Sequence, residues 1–339
     1  MLHCTSVHQA TAQTQNLFVT EGSGDIIEIT PDGTQHTFAS GLNGPSGLAF
    51  DSAGNLFVAA TGSGNIYKFT NSVATAKGIF ASGLSYPGAL VFDSTGNLFE
   101  ADHNSISGDV YKFTPDGTKS LFATGLGYQS PFGLAINSAG NLFVGDLSGS
   151  AYSFGNITQI TPDGTKSTFV ASGIYSPEGL VFDGAGNLFV SDYNQSAVFE
   201  YTNGVATAKG VFASGLNIPV GLAFDSAGNL YEADLGSGTI YIFTNGVMTA
   251  KGVFATGLSS PEFITFSPNT IFSVNIKMFA GIIINNGQIG SNYLIQATAN
   301  LSTSNWTTLT NVTLPSQPYI YIDYSSPTNN QRFYRAVQQ

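Results

Sequence analysis

The chain writes almost the same phrase six times. Asn16-Leu17-Phe18-Val19 returns as Asn55-Leu56-Phe57-Val58, Asn97-Leu98-Phe99-Glu100, Asn141-Leu142-Phe143-Val144, Asn187-Leu188-Phe189-Val190 and Asn229-Leu230-Tyr231-Glu232. The intervals are 39, 42, 44, 46 and 42 residues. A repeat of that length built from short β-type segments specifies a propeller, with one four-stranded blade per repeat. The expected fold is therefore an all-β, six-bladed β-propeller.

Residues 45–84 illustrate one blade. Pro45 to Phe50 is an apolar strand, and Asp51-Ser52-Ala53-Gly54 is a turn in which the aspartate can bind amides and the glycine can take a positive φ. Asn55 to Ala59 is the second strand, Asn65 to Thr70 alternates as a third, and Ile79-Phe80-Ala81 forms the outer one. The first strand recurs at Ala89–Asp93, Gly133–Asn137, Gly179–Asp183 and Gly221–Asp225, but residues 1–42 lack it. Its counterpart is Pro261-Glu262-Phe263-Ile264-Thr265-Phe266, after which no further blade follows. The C-terminal inner strand should thus complete the blade that the N-terminus begins, closing the ring and leaving no open inner edge.

Residues 13–267 make up the expected propeller. Residues 271–339 differ in composition, holding the only Trp and the only two Arg of the chain. Tyr293–Ala297, Trp306–Leu309, Tyr319–Asp323 and Arg332–Ala336 alternate as strands, so a small β-sandwich is expected there. Residues 1–12 read as a remnant of a signal peptide. Ala10-Thr11-Ala12 has the small-x-small form of a cleavage site, yet residues 1–9 hold no apolar segment. The motif is either the end of a longer leader or a chance match.

Charged residues make up only 9% of the chain, against about 25% in an average protein. The formal net charge is −11, and no arginine precedes Arg332. Phosphate contact needs clustered Lys and Arg, which argues against nucleic acid and anionic membrane surfaces as partners. No stretch approaches the roughly 20 apolar residues of a membrane span. The single cysteine, Cys4, rules out an internal disulfide and a Cys-based zinc site. A polar surface carried by Asn, Thr, Ser and Gly suits an exported protein, extracellular or periplasmic, and a monomer is expected.

The phrase Gly47-Leu48-Ala49-Phe50-Asp51-Ser52-Ala53-Gly54-Asn55-Leu56-Phe57-Val58-Ala59 resembles the NHL-repeat propellers and the related gluconolactonase/senescence-marker superfamily. The resemblance covers residues 16–267. The C-terminal segment resembles the small fibronectin-like modules appended to exported proteins of environmental bacteria. Propellers of this kind host hydrolases, lyases and pure binding modules alike.

In such propellers first strands start, and second strands end, around one mouth of the central channel. The first-strand position is Glu262, Ser46, Gly88, Phe132, Glu178 and Val220 for blades one to six. The second-strand position is Glu21, Ala60, Asp102, Asp146, Asp192 and Asp234. Seven carboxylates should therefore ring this mouth. An aspartate at a strand end commonly binds amides of the next loop, which is the alternative to a ligand role for Asp102, Asp192 and Asp234. Glu100 and Glu232 replace a valine of other blades, and an unpaired buried carboxylate is costly, so each should reach channel water or bind something. His103 is the only histidine expected at this mouth, while Tyr86, Tyr128, Tyr175 and Tyr193 fall in its loops as stacking surfaces.

The resemblance implies a divalent metal, Ca²⁺, held by a Glu, an Asn and an Asp at first-strand starts, where its charge can polarise a lactone carbonyl. Glu262 matches the Glu and Glu178 stands where the Asp would be. Phe132 stands where the Asn would be, and a phenyl ring cannot ligate. The leading expectation is a binding or scaffold module for a small-molecule, glycan or protein ligand. Its rivals are a metal-dependent lactone or ester hydrolase and a lyase with His103 as base.

Overall fold

The computed structural model describes residues 15–103, 108–127, 131–146, 155–247 and 251–268, together with six strands between 274 and 338 and the adjoining Ser291. Six four-stranded antiparallel sheets carry the six repeats. Blade two is Pro45–Phe50, Leu56–Ala60, Asn65–Phe69 and Lys77–Ala81, from the channel outward. The other inner strands are Pro87–Phe92, Leu134–Ile136, Pro177–Phe182, Pro219–Phe224 and Pro261–Phe266. Each inner strand contacts the next, and Pro261–Phe266 lies between those of blades six and two, so the ring closes. Among the described residues the only helices are single 3₁₀ turns, and no helix is long and apolar enough to cross a membrane.

The closing strand pairs antiparallel with Leu17–Glu21, Leu17 facing Phe266 and Val19 facing Ile264. A latch finishes it. The Ser267 amide donates to the Asn16 carbonyl (2.9 Å), and the Asn16 amide donates to Ser267 Oγ (3.0 Å). Gln15 Nε2 donates to the Ser267 carbonyl (2.6 Å), while its Oε1 accepts the Ser226 amide of blade six (2.9 Å). The expected ring closure is observed.

The repeated phrase has a physical reason at each letter. Asp51 Oδ1 accepts the amides of Ala53 and Asn55, and Oδ2 accepts Asn55 Nδ2, which fixes the first hairpin. Asn55 Oδ1 in turn accepts the Asn71 amide of the outer hairpin, as Asn187 does from Asn203. The phenylalanine of the phrase sits between blades. Phe57 meets Phe80 of its own outer strand at 5.0 Å and Phe92 of the next blade at 5.1 Å, both edge to face. Phe18, Phe143, Phe189 and Tyr231 repeat this arrangement. Such pairs contribute about 0.5–1.5 kcal/mol each beyond their buried area.

Close approach around the channel explains the glycine after Pro-x. A Cβ on Gly47 would lie 2.3 Å from the Gly88 carbonyl oxygen of the next blade. Blades three and one depart from this rule, with Ala89 and the much larger Phe263 there.

The chain divides into two compact units, Met1–Pro268 and Asn269–Gln339. The second holds two three-stranded antiparallel sheets. One is Val274–Lys277, Gly281–Ile284 and Tyr319–Ile322, and the other is Thr307–Thr313, Asn292–Thr298 and Phe333–Gln338. Its first two strands were not among those expected from the sequence.

Candidate functional site

The channel mouth is built from the first residues of the inner strands and the last residues of the second strands. The second-strand acids turn out to have a common task. Asp102 accepts the amides of Ser85 (2.9 Å) and Tyr86 (3.1 Å), in the link entering its own blade. Asp192 accepts Tyr175 (2.7 Å), Ser176 (3.2 Å) and Gln195 (3.1 Å) amides and Gln195 Nε2 (2.6 Å). Asp234 accepts the Asn217 amide at 2.7 Å, and the Ser237 amide and hydroxyl at 3.0 and 2.6 Å. Glu21 accepts the Ser259 amide at 2.7 Å. These four side chains are buried, with their oxygens directed at loop amides. Asp146 occupies the same position in blade four and is also buried.

Glu178 and Glu262 differ from them. Neither carboxyl accepts a hydrogen bond within the described residues; both are half-buried, and of the two only Glu178 lines the channel cavity. Burial pushes the Glu178 carboxyl up to about 8, helped by the charges of Glu262 and Asp192. Burial pushes Glu262 up to about 7. Among the described residues no cationic side chain offsets either one. Most lysines sit far from the axis, stacked on strand aromatics, as Lys209 is on Phe199 (3.6 Å) and Lys251 on Tyr241 (3.6 Å). Two carboxyls two blades apart, either side of Val220, are left to share one unneutralised field.

His103 is at this mouth but enclosed. Its ring packs on Phe132 of the next blade, centroids 4.1 Å apart. Its Nε2 is buried without a hydrogen-bond partner, and burial lowers its pKa to about 4, so the ring is neutral. Gly88 makes this possible, because a Cβ there would lie 2.3 Å from His103 Nε2. Asp102 gives its oxygens to loop amides, so the neighbouring pair forms no acid–base dyad. Tyr86, Tyr175 and Tyr193 are exposed. Tyr128 lies outside the described residues.

Glu100 and Glu232 do not reach the channel. Both are 0% exposed and lie in interblade positions taken by Val19, Val58, Val144 and Val190 elsewhere. Glu100 Oε1 accepts the Gly88 amide at 3.3 Å, while its Oε2 has no partner. Neither oxygen of Glu232 has one. Burial, reinforced by Asp102 and Asp234 respectively, holds both carboxyls well above the usual carboxylate range.

Sequence reasoning expected a central channel but did not identify its lining. A cavity of about 520 Å³ runs along the inner strands. Every blade contributes a leucine or isoleucine to its lining, namely Leu48, Leu90, Leu134, Leu180, Leu222 and Ile264, each largely buried, and Val91 and Val181 add to it. Glu178 stands at its inner end, and Asp51, Ser52 and Pro268 stand at the other, on the face opposite the mouth. Phe263 also lines it, packing both against the core between blades one and two and against the one between blades three and four. Its ring therefore crosses the channel. The break in the glycine pattern at Phe263 was the available signal.

Neither family models nor curated proteins returned a match to the sequence. Solved structures do resemble it. A chain of a nidogen/laminin complex superposes with a TM-score of 0.66 at 17% identity, over 75% of this chain and 98% of that one. A gluconolactonase of Xanthomonas campestris gives 0.55 at 18%, over 65% and 79%. The virginiamycin B lyase of Staphylococcus aureus gives 0.54 at 14%, over 75% and 92%. At such identities the likeness is one of architecture. The chain is a six-bladed β-propeller, and a gluconolactonase and a lyase are among its structural neighbours.

Proposed function

We propose that the propeller is an exported ligand-binding module whose channel receives a cation at Glu178 and Glu262. The carrying observation is this pair of carboxyls at one mouth, raised to about 8 and 7, Glu178 lining the channel, with no cationic side chain or hydrogen-bond donor against them among the described residues. A cation placed there would favour their ionised forms and relieve their mutual repulsion.

The resemblance implies Ca²⁺, but the donors do not fit it. Calcium takes six to eight oxygen ligands. Here the third expected position is Phe132, whose ring packs on His103 instead of offering an oxygen. Among the described residues no three His, Cys, Asp or Glu side chains converge as a metal set. A metal-polarised lactone is therefore not supported, and an organic cation suits two carboxyls in apolar walls better. His103 supports neither acid–base role, being enclosed and unpaired with a carboxylate.

Calorimetry with methylammonium chloride and with CaCl₂ at low ionic strength tests this reading. Wild type should bind methylammonium saturably, and a Glu178→Gln, Glu262→Gln double variant should not. Identical traces from the two proteins would sink the cation site. Tight Ca²⁺ binding or rapid lactone turnover by wild type would restore the hydrolase.

A further inference from the structure

The cavity beyond Glu178 bears on what kind of cation the channel could hold. Its walls are the leucine ring, with no lysine, arginine or histidine among them. Glu178 is the one carboxyl of the lining that no hydrogen bond occupies, since Asp51 is held by the amides of its own turn and by Asn55. From Glu178 to Phe182 the inner strand extends four residues, roughly 13 Å of channel. Phe263 restricts the cross-section. Its ring reaches from blade one to the cluster containing Ala89 and Leu134, while Gly133, Gly179 and Glu178 also line the cavity. Bare glycine backbone on one side and a phenyl face on the other leave a slot for a narrow apolar body, not a branched one.

We propose that the channel binds an amphiphilic amine. Its ammonium head pairs with Glu178, within the field of Glu262, and its unbranched apolar tail lies along the leucine ring toward the face of Asp51 and Ser52. The inference rests on the cation reading above and adds the chemistry of the ligand. An alkylammonium satisfies both halves of the cavity at once. The charge meets the lone carboxyl, and each methylene leaves water for an apolar wall. A metal ion would leave the leucine ring with nothing to bury. A neutral hydrocarbon would leave the carboxyl desolvated and unpaired. Above about pH 8, where Glu178 is ionised, a fatty acid would place a second anion beside it.

The test is a homologous series of methyl-, n-butyl- and n-octylammonium, titrated into the full chain by calorimetry, with n-octanol and octanoate as controls. Affinity should rise roughly fourfold per methylene buried. Octanoate should fail to bind, and Glu178→Gln should erase the preference for octylammonium over octanol. Filling the cavity by Leu134→Trp, or by Thr265→Phe should the first not fold, should abolish the chain-length gain while methylammonium still binds. Circular dichroism checks that each variant is folded. Methylammonium binding with no gain on lengthening the chain would overturn the tail and leave the cation site standing. No ammonium binding of any length would overturn both readings. A chain-length gain that survives in the filled channel would place the tail elsewhere and end the proposal.

Discussion

Replacing Glu232 by valine should make the protein more stable, and increasingly so as pH rises. The side chain is 0% exposed, neither oxygen has a hydrogen-bond partner, and four other blades place valine at the same interblade position. An unsatisfied buried polar group costs about 1–3 kcal/mol in proteins. A second cost comes from proton linkage. Burial, then the charge of Asp234, holds the folded-state pKa well above 4.5, and Lys251 opposes this only in part. Below the unfolded value both states are protonated and this second cost vanishes. Above it the unfolded chain releases a proton that the folded chain keeps, so stability falls by about 1.4 kcal/mol per pH unit until the folded pKa is reached. Urea unfolding of wild type and Glu232→Val at pH 5 and pH 7 measures both parts. The variant should lead by about 1–3 kcal/mol near pH 5, and its lead should widen at pH 7. A lead that does not change with pH would refute the linkage argument. A variant less stable than wild type at both values would mean that something inside the fold satisfies the carboxyl.

Other positions test the clamps and the closure. Asp192→Ala removes an acceptor of four hydrogen bonds, three of them from backbone amides, and should cost about 3 kcal/mol in urea unfolding; a loss below about 1 kcal/mol would contradict the structural role given to these acids. Gly88→Ala should lower the melting temperature because its Cβ would meet His103 Nε2, and adding His103→Ala should recover most of the loss; no recovery would show that the backbone, not the imidazole, needs the glycine. Ending the chain before Pro261 should destabilise the whole ring, since it bares an edge of Leu17–Glu21 and the flank of blade six. A truncated chain melting with the full-length one would exclude that closure.

Blade count and closure were legible because they rest on local chemistry. The Asp51–Asn55 hairpin, the Asn55 bond to Asn71 and the Phe57 interblade contact are each specified within one repeat or two adjacent ones. The missing first strand at one terminus and the surplus one at the other then leave a single way to close. The mouth was less legible. Asp192 and Glu178 both stand at strand ends in blade five, and only the hydrogen bonds reveal that one clamps a loop while the other faces the channel. Phe263 was visible as a break in the glycine pattern, but its meaning depends on where the ring points. In the C-terminal segment, Gly281–Ile284 is a short run of apolar residues without alternation, which pattern reading does not separate from other buried segments.

The residues proposed here to carry function depart from the blade consensus, and such departures fall into two physical kinds. Glu100 and Glu232 break the pattern inside the interblade core, where every other blade keeps valine, and the cost is borne by stability. Glu178, Glu262 and Phe263 break it beside the channel, where the side chains retain contact with open space and the fold loses less. The two kinds should separate experimentally. Restoring the consensus by Glu232→Val should raise the melting temperature and leave alkylammonium affinity unchanged. Glu178→Gln should abolish the preference for the charged head and, at pH 4, where the carboxyl is protonated in the folded and unfolded chain alike, leave the melting temperature within about 2 °C. Variants that moved both properties together would mean that the channel wall and the interblade core act as one cooperative unit, and that the division of labour read from the consensus is false.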